Sequence, residues 1–376
     1  MTGLPRLEDV HKIGFGAAGN SGRFVRTGWG VAETGFRWMT GQESGIGFQI
    51  PDAAADYMLL FDATPFLSKT AHPAQRLTVS ANGYELAEHT LTGRRTLPVF
   101  MPADVLEGGR QVELVLTHPD ARRISDILPV ADNREVSVSL RTLRVLRLAE
   151  GAEAPEPAAA VPPPNRPLML LFDGLGETDA FVRVQRVFGA DPLGLLRGAD
   201  LPIHAVIDLL ASDFADIDSP RRLVATRTDA GWTVRHKTYG FSFTTTEDAA
   251  DAAAIIDREA ARLTIGAARL RRVLAAGDKI MVFTSAEPIA DQEIIPLLVA
   301  LRDRGPNTLL WVAEAAEGVP PGAVEPIMEG ALRGHVGQVR PAADATAEDL
   351  ADWLAVFRGA WALWDRRDPA QMALAS

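Results

Sequence analysis

The sequence predicts two domains: an antiparallel, jelly-roll-like β-sandwich over residues 1–149 and an α/β domain over 168–376. Three observations carry that expectation. Short apolar or alternating runs, separated by turn formers, recur through the first part of the chain. A Pro/Ala-rich stretch, Glu150–Pro167, then interrupts all periodicity and reads as a semi-rigid linker over 150–167, because proline removes donors and favours extended backbone. From Leu168 onward, strand patterns alternate with helical ones, as in a largely parallel sheet.

In the first domain the strand candidates are Met58–Asp62, Arg76–Ser80, Leu97–Met101, Gln111–Thr117, Glu135–Leu140 and Leu143–Leu148. Asn82-Gly83, Thr92-Gly93 and Glu107-Gly108-Gly109 separate some of them. Asn-Gly directly after an alternating run is a strong hairpin signal, because both turn positions need positive φ.

In the second domain Leu168–Phe172 reads as a buried strand. The glycine turn Asp173-Gly174-Leu175-Gly176 follows, and then a helix capped by Thr178 and running to Phe188. Glycines there would let a ligand approach a helix N-terminus. Further on come a helix over Leu201–Phe214 opened by Pro202, and a hairpin of Leu223–Thr228 with Trp232–Lys237. Thr246–Ala276 reads as a long helix with an apolar stripe of Ile256, Leu263, Ala267, Leu270 and Leu274. Ile280–Thr284 and Thr308–Ala313 read as buried strands. Gln292–Arg304 and Ala347–Leu363 read as helices, the latter carrying Trp353, Phe357 and Trp361, with Trp364 just beyond, at helical spacing.

Composition excludes several functions. The net charge of −11 opposes non-specific nucleic-acid or acidic-membrane binding, which needs basic surface. The chain has no cysteine, so disulfides, thiolate nucleophiles and cysteine metal sites are ruled out. No apolar run approaches the roughly 18 residues of a membrane span, and the N-terminus has no apolar leader core. A cytoplasmic location is therefore expected. The histidines are scattered without metal spacing, so no metal and no cofactor is expected. The turn Gly174-Leu175-Gly176-Glu177 lacks the third glycine of a dinucleotide fingerprint, and Glu177 would repel a phosphate.

Candidate chemistry falls in two places. Asp173, Glu177 and Asp179 crowd the glycine turn and could divide acid and base roles. Against that, a helix N-terminus stabilises Asp179 as an anion and makes it a poor acid, and capping accounts for it more simply. In the first domain Trp29, Trp38, Tyr57, Tyr84 and Phe100 could give sugar rings a flat surface, or could be core. Asp132 and Arg134 read as ligand-binding loop residues or, more simply, as an internal ion pair.

The run Gly176-Glu177-Thr178-Asp179-Ala180-Phe181, continuing Val184-Gln185-Arg186-Val187-Phe188-Gly189-Ala190-Asp191-Pro192-Leu193-Gly194-Leu195-Leu196-Arg197, resembles a bacterial family of papain-like cysteine peptidases. Gly305–Val312 and Leu332-Arg333-Gly334-His335 resemble it too. The resemblance covers about residues 170–365. That family's nucleophilic cysteine falls on Asp179, its preceding asparagine on Thr178 and its histidine on Thr244. Aspartate with threonine cannot replace a thiolate and imidazole in acyl transfer, so the resemblance implies a member that has lost its peptidase chemistry.

The first domain resembles the sugar-binding-like sandwiches of polysaccharide-biosynthesis proteins, on Gly28–Glu33, Phe36-Arg37-Trp38, Asn82-Gly83 and Asp132-Asn133-Arg134. That resemblance implies a polysaccharide or glycan as partner, in bacterial polysaccharide biosynthesis or modification. Three readings stay open. One is a glycan-associated binding protein that is not an enzyme. Another is a hydrolase using the turn carboxylates on a glycan or ester. The third is a scaffold docking glycosyltransferases or other polysaccharide-assembly proteins.

Overall fold

The structure is a computed structural model that describes residues 3–68, 72–151, 162–176, 180–192, 194–196, 199, 201–229, 231–245, 251–285, 288–339 and 346–364. The chain forms two compact units, residues 5–151 and residues 152–376 with the first four.

The first unit is mostly β. Its strands are β1 (Pro5–Gly14), β2 (Trp29–Ala32), β3 (Arg37–Thr40), β4 (Glu43–Gln49), β5 (Tyr57–Pro65), β6 (Gln75–Ala81), β7 (Tyr84–Leu91), β8 (Arg95–Met101), β9 (Gln111–Thr117), β10 (Arg122–Arg123) and β11 (Glu135–Glu150). One helical turn, α1 (Ile124–Ile127), links the last two. One sheet runs β2-β3-β11-β5-β8, with β1 and β10 also paired to β11; the other runs β4-β9-β6-β7. Every pairing is antiparallel.

Alternation fixes which side chains go inside. On β9, Val112, Leu114 and Leu116 are buried while Gln111, Glu113 and Val115 face out. They join Ile46, Phe48, Leu77 and Val79 from their own sheet, and Leu59, Phe61, Leu97, Val99, Leu143 and Val145 from the other, in one shared core. Two sheets on one core make a sandwich. Asn82 (φ 48°) and Gly83 (φ 89°) are both left-handed and join β6 to β7, as Asn-Gly predicts.

β11 is longer than the two strands expected over it. It runs unbroken through Arg141 and Thr142, with a register shift against β5 at that point. β1 carries no clean alternation, so no strand is expected there. It is held by pairing to β11 and by charge: Asp9 accepts from Arg144 at 2.8 Å, and Glu8 pairs with Arg147.

The second unit contains α2 (Asn165–Met169), β12 (Phe172–Gly174), α3 (Ala180–Val187), α4 (Ile203–Ala211), the antiparallel sheet β13 (Leu223–Thr228), β14 (Gly231–His236) and β15 (Ser242–Thr245), then α5 (Ala252–Ala276), β16 (Ile280–Thr284), α6 (Asp291–Arg302), β17 (Thr308–Glu314), β18 (Val324–Met328), β19 (Ala331–Val336) and α7 (Ala347–Trp364). Its main sheet has the order β12-β16-β17-β19-β18. The first four strands are parallel, and β18 is antiparallel at the edge.

One face of this sheet (Phe172, Ile280, Val282, Leu310, Val312) shares a core with Leu168 and Met169, with Phe181 and Val184, and with Trp353, Phe357 and Trp361. Met281, Phe283, Leu309 and Trp311 alternate onto the opposite face and are also buried. Trp353, Phe357 and Trp361 are thus core aromatics.

Three expectations need correction. Leu168–Phe172 is not a strand. Leu168 and Met169 belong to α2, whose first turn accommodates Pro167, and only Phe172–Gly174 pair with β16. A short apolar run suits either a buried helix face or a strand, and here it is divided between them. The stripe of α5 starts at Ile255, which is fully buried, while Ile256 is half-buried. α5 is capped by the Asp251 carboxylate accepting from Ala254 N at 2.9 Å, and it ends at Gly277 (φ 63°). The stretch 150–167 runs into structure at both ends: Glu150 belongs to β11, and Asn165–Pro167 open α2.

Candidate functional site

The β2–β3 turn and β11 build a rim on the first unit. Phe36 and Trp38 lie on one side of the β3 segment, two residues apart, with ring centroids 5.5 Å apart, edge to face. Trp38 is anchored by a second edge contact to Phe66 at 5.9 Å, and both Phe36 and Trp38 remain half-exposed. Trp38 pairs with Ser139 on β11, and Ser139 with Thr64 on β5. Ser139 Oγ donates to the Thr64 carbonyl at 3.2 Å, and the buried hydroxyls of Thr64 and Ser137 have no protein partner among the described residues. The Arg141 guanidinium stands 6.0 Å over the Phe36 ring.

Arg134 joins the same turn. It grips Asp132 with Nε and Nη2, at 3.0 and 2.7 Å to Oδ2, and donates Nη1 to Glu33 at 3.0 Å. Glu33 N in turn donates to the Phe36 carbonyl at 2.9 Å. Hydrogen bonds from Arg134 hold the Asp132 carboxyl below the usual range. Asp132 and Arg134 therefore form the internal pair foreseen from sequence, with Glu33 as a third member.

The other aromatic candidates stand apart from this rim. Trp29 stacks on Phe15 at 5.0 Å, donates Nε1–H to the Gly45 carbonyl at 2.8 Å and packs against the shared core. Its ring is structural rather than a platform. Tyr84 is 47% exposed, and its hydroxyl donates to Glu107 at 2.6 Å across the β6–β7 hairpin end. Glu107 also raises the Tyr84 pKa. Tyr57 is buried with its hydroxyl on the Asp52 carbonyl at 2.6 Å.

In the second unit Asp173 sits in β12, 5% exposed. Arg269 Nη1 donates to it at 3.0 Å, and Lys279 Nζ lies 4.0 Å away. Burial pushes its carboxyl above the ordinary range, while the two cations pull it back. The glycines after it are explained by protein contacts. A Cβ on Gly174 would stand 3.0 Å from Phe181. At Gly176 (φ 81°) it would stand 2.7 Å from the Leu196 carbonyl, and Leu201 N donates to Gly176 O at 2.8 Å. The turn is packed beneath its own chain, contrary to the expectation that its glycines admit a ligand. Glu177, Thr178 and Asp179 lie outside the described residues. Thr244 is an exposed residue of β15, its hydroxyl 3.3 Å from that of Thr233 on the neighbouring strand.

Two further polar groups are assembled only by the fold. Ser44 Oγ lies 3.0 Å from His118 Nε2, both residues buried. The hydroxyl already donates to the Gly28 carbonyl, so the pair is a core link and not a nucleophile with its base. Burial pushes the His118 imidazole down to about 4. On the second unit, Glu325 accepts from Arg333 Nε at 3.0 Å and lies 3.3 Å from His335 Nε2. Arg333 also donates to Asp291 at 2.8 Å and covers Trp311. No local sequence signal joins these residues, because β17, β18, β19 and α6 meet only in the fold.

Among the described residues no cluster of His, Asp or Glu is placed to hold a metal, and no helix is long and apolar enough to cross a membrane. No protein-family model matches the chain, and no curated protein does. Among solved structures it is similar to a family GH115 4-O-methyl-α-glucuronidase with specificity for decorated arabinogalactans, at 12% identity and a TM-score of 0.24, over 37% of this chain and 17% of that one. It is similar to the C-terminal domain of EclA, a sugar-binding protein, at 16% identity and a TM-score of 0.21, over 28% and 67%. It is similar to the CBM36-1 domain of a multidomain xylanase from the hindgut metagenome of Trinervitermes trinervoides, at 9% identity and a TM-score of 0.20, over 38% and 93%. Likeness at this level carries no argument about function.

Proposed function

We propose that this is a glycan-associated binding protein whose first unit holds carbohydrate at the β3–β11 rim. The observation that carries the reading is the half-exposed Phe36–Trp38 pair with the exposed Arg141 guanidinium over Phe36. A sugar ring offers an apolar C–H face to an aromatic and hydroxyls to flanking polar groups. An aromatic pair with a polar group at its edge suits that combination.

The second unit is read as non-catalytic. The chain lacks cysteine, and Asp173 is committed to Arg269 and Lys279. A degenerate peptidase-like ancestry, a role in bacterial polysaccharide biosynthesis or modification, a cytoplasmic location and docking to glycosyltransferases or other assembly proteins complete the proposal.

The test is capture on an array of bacterial polysaccharides and oligosaccharides. The full chain should bind a defined subset, and Trp38→Ala should lose it. An empty array, or a pattern unchanged in Trp38→Ala, would refute the site.

A further inference from the structure

We infer that the rim takes an anionic sugar, a uronate whose carboxylate docks on Arg141 while its ring face packs on Phe36 or Trp38; this rests on the glycan-binding reading above. Three arginines follow one another on β11 within seven positions. Arg144 is bound to Asp9 and Arg147 to Glu8, across the pairing with β1. Arg141 differs. Among the described residues its guanidinium has no carboxylate partner and no hydrogen bond, and the residue is exposed.

Its position is fixed by backbone rather than by a side-chain partner. Arg141 lies at the register shift between Leu140 and Thr142 of β11, where an extra residue re-aims a side chain. Phe15 N donates to its carbonyl at 2.9 Å and pins the irregularity. Gly35 lies alongside: a Cβ there would stand 3.4 Å from Arg141 Nη1, so a longer side chain would cover the cation. The Phe36 ring lies under the guanidinium and holds it without neutralising it.

The rim's two carboxylates do not occupy it. Glu33 and Asp132 are both turned onto Arg134, whose donors they take up. An arriving carboxylate therefore finds one guanidinium already satisfied and one with its fork open. A guanidinium fork matches a carboxylate in a bidentate way, which an uncharged sugar hydroxyl cannot reproduce.

The test is calorimetric titration of the full chain with three probes: tetragalacturonate, its methyl ester and cellotetraose, at neutral pH and low salt. We expect tetragalacturonate to bind about tenfold more tightly than the ester, the effect of one charge-assisted contact. Arg141→Gln should abolish that preference with thermal unfolding unchanged, and Arg141→Lys should keep part of it. Equal affinity for acid and ester in the unaltered protein, or a preference that survives Arg141→Gln, overturns the inference. If cellotetraose binds in a Trp38-dependent way without any acid preference, only the anionic assignment falls. If no probe binds while the array captures another glycan, only the anionic assignment falls; if the array is empty as well, the glycan reading falls with it.

Discussion

Arg269 Nη1 donates to Asp173 Oδ2 at 3.0 Å, from the C-terminal half of α5 to the middle of β12. This pair makes the carboxylate nearest the glycine turn a fastener between a helix and a sheet edge. Losing one partner of a buried pair leaves the other charge uncompensated. Asp173→Ala should therefore destabilise the second unit by about 3–5 kcal/mol in denaturant unfolding, while glycan binding is retained. Loss of binding without loss of stability would show that Asp173 has a ligand role.

The two tryptophans of the first unit should separate cleanly. Trp29 stacks on Phe15 and donates to Gly45 O, so Trp29→Ala should cost about 2–4 kcal/mol of stability. Trp29→Phe keeps the ring and loses the hydrogen bond, which should cost about 1 kcal/mol. Trp38→Ala should affect binding first, with a smaller fall in melting temperature. The opposite ranking in thermal unfolding would exchange their roles.

His118 gives the first unit a pH dependence. Its imidazole is depressed to about 4 in the folded chain against 6.5 in an unperturbed one, so the unfolded state takes up the proton first. Stability should be full above about pH 7 and fall as the pH drops from 6.5 towards 4, by roughly 3 kcal/mol at most. In His118→Gln, unfolding curves between pH 7 and 4.5 should lose most of that slope. An unchanged slope would place the titration elsewhere.

Gly83 holds φ 89° in the β6–β7 turn. A Cβ there meets no neighbouring atom, so the cost of a side chain is backbone strain alone. Gly83→Val should therefore destabilise by about 1–2 kcal/mol, and Gly83→Asn by much less. Equal effects of the two in denaturant midpoints would contradict the turn assignment.

Much of this architecture is legible in the residues wherever one local rule acts alone. Asn82-Gly83 forces a turn, and alternation places Val112, Leu114 and Leu116 inside. The apolar run of β16, five residues rich in strand formers and ended by Thr284, reads as a buried strand and pairs with parallel neighbours. Legibility ends where partners are distant. β1 is paired through Arg144 and Arg147, more than a hundred residues away, and its Leu7, Val10 and Ile13 are spaced by three rather than alternating, so its own sequence does not announce a strand. Leu168 and Met169 share an apolar run with Phe172 but fold as helix, since the run alone does not distinguish the two.

The candidate site follows the same division. The Asp132–Arg134 pair is two residues apart and readable. Its link to Glu33, and the arrival of Arg141 over Phe36, are products of sheet pairing. Glycines at 174 and 176 signal close approach correctly, but not that the approaching group is Phe181 or Leu196.

The most direct measurement of the central claim is a calorimetric comparison of the intact chain, Trp38→Ala and Asp173→Asn, titrated with the tightest glycan the array captures. The account predicts about tenfold or greater loss of affinity in Trp38→Ala and none in Asp173→Asn. Affinity unchanged in Trp38→Ala, or lost in Asp173→Asn with the fold intact, would contradict it.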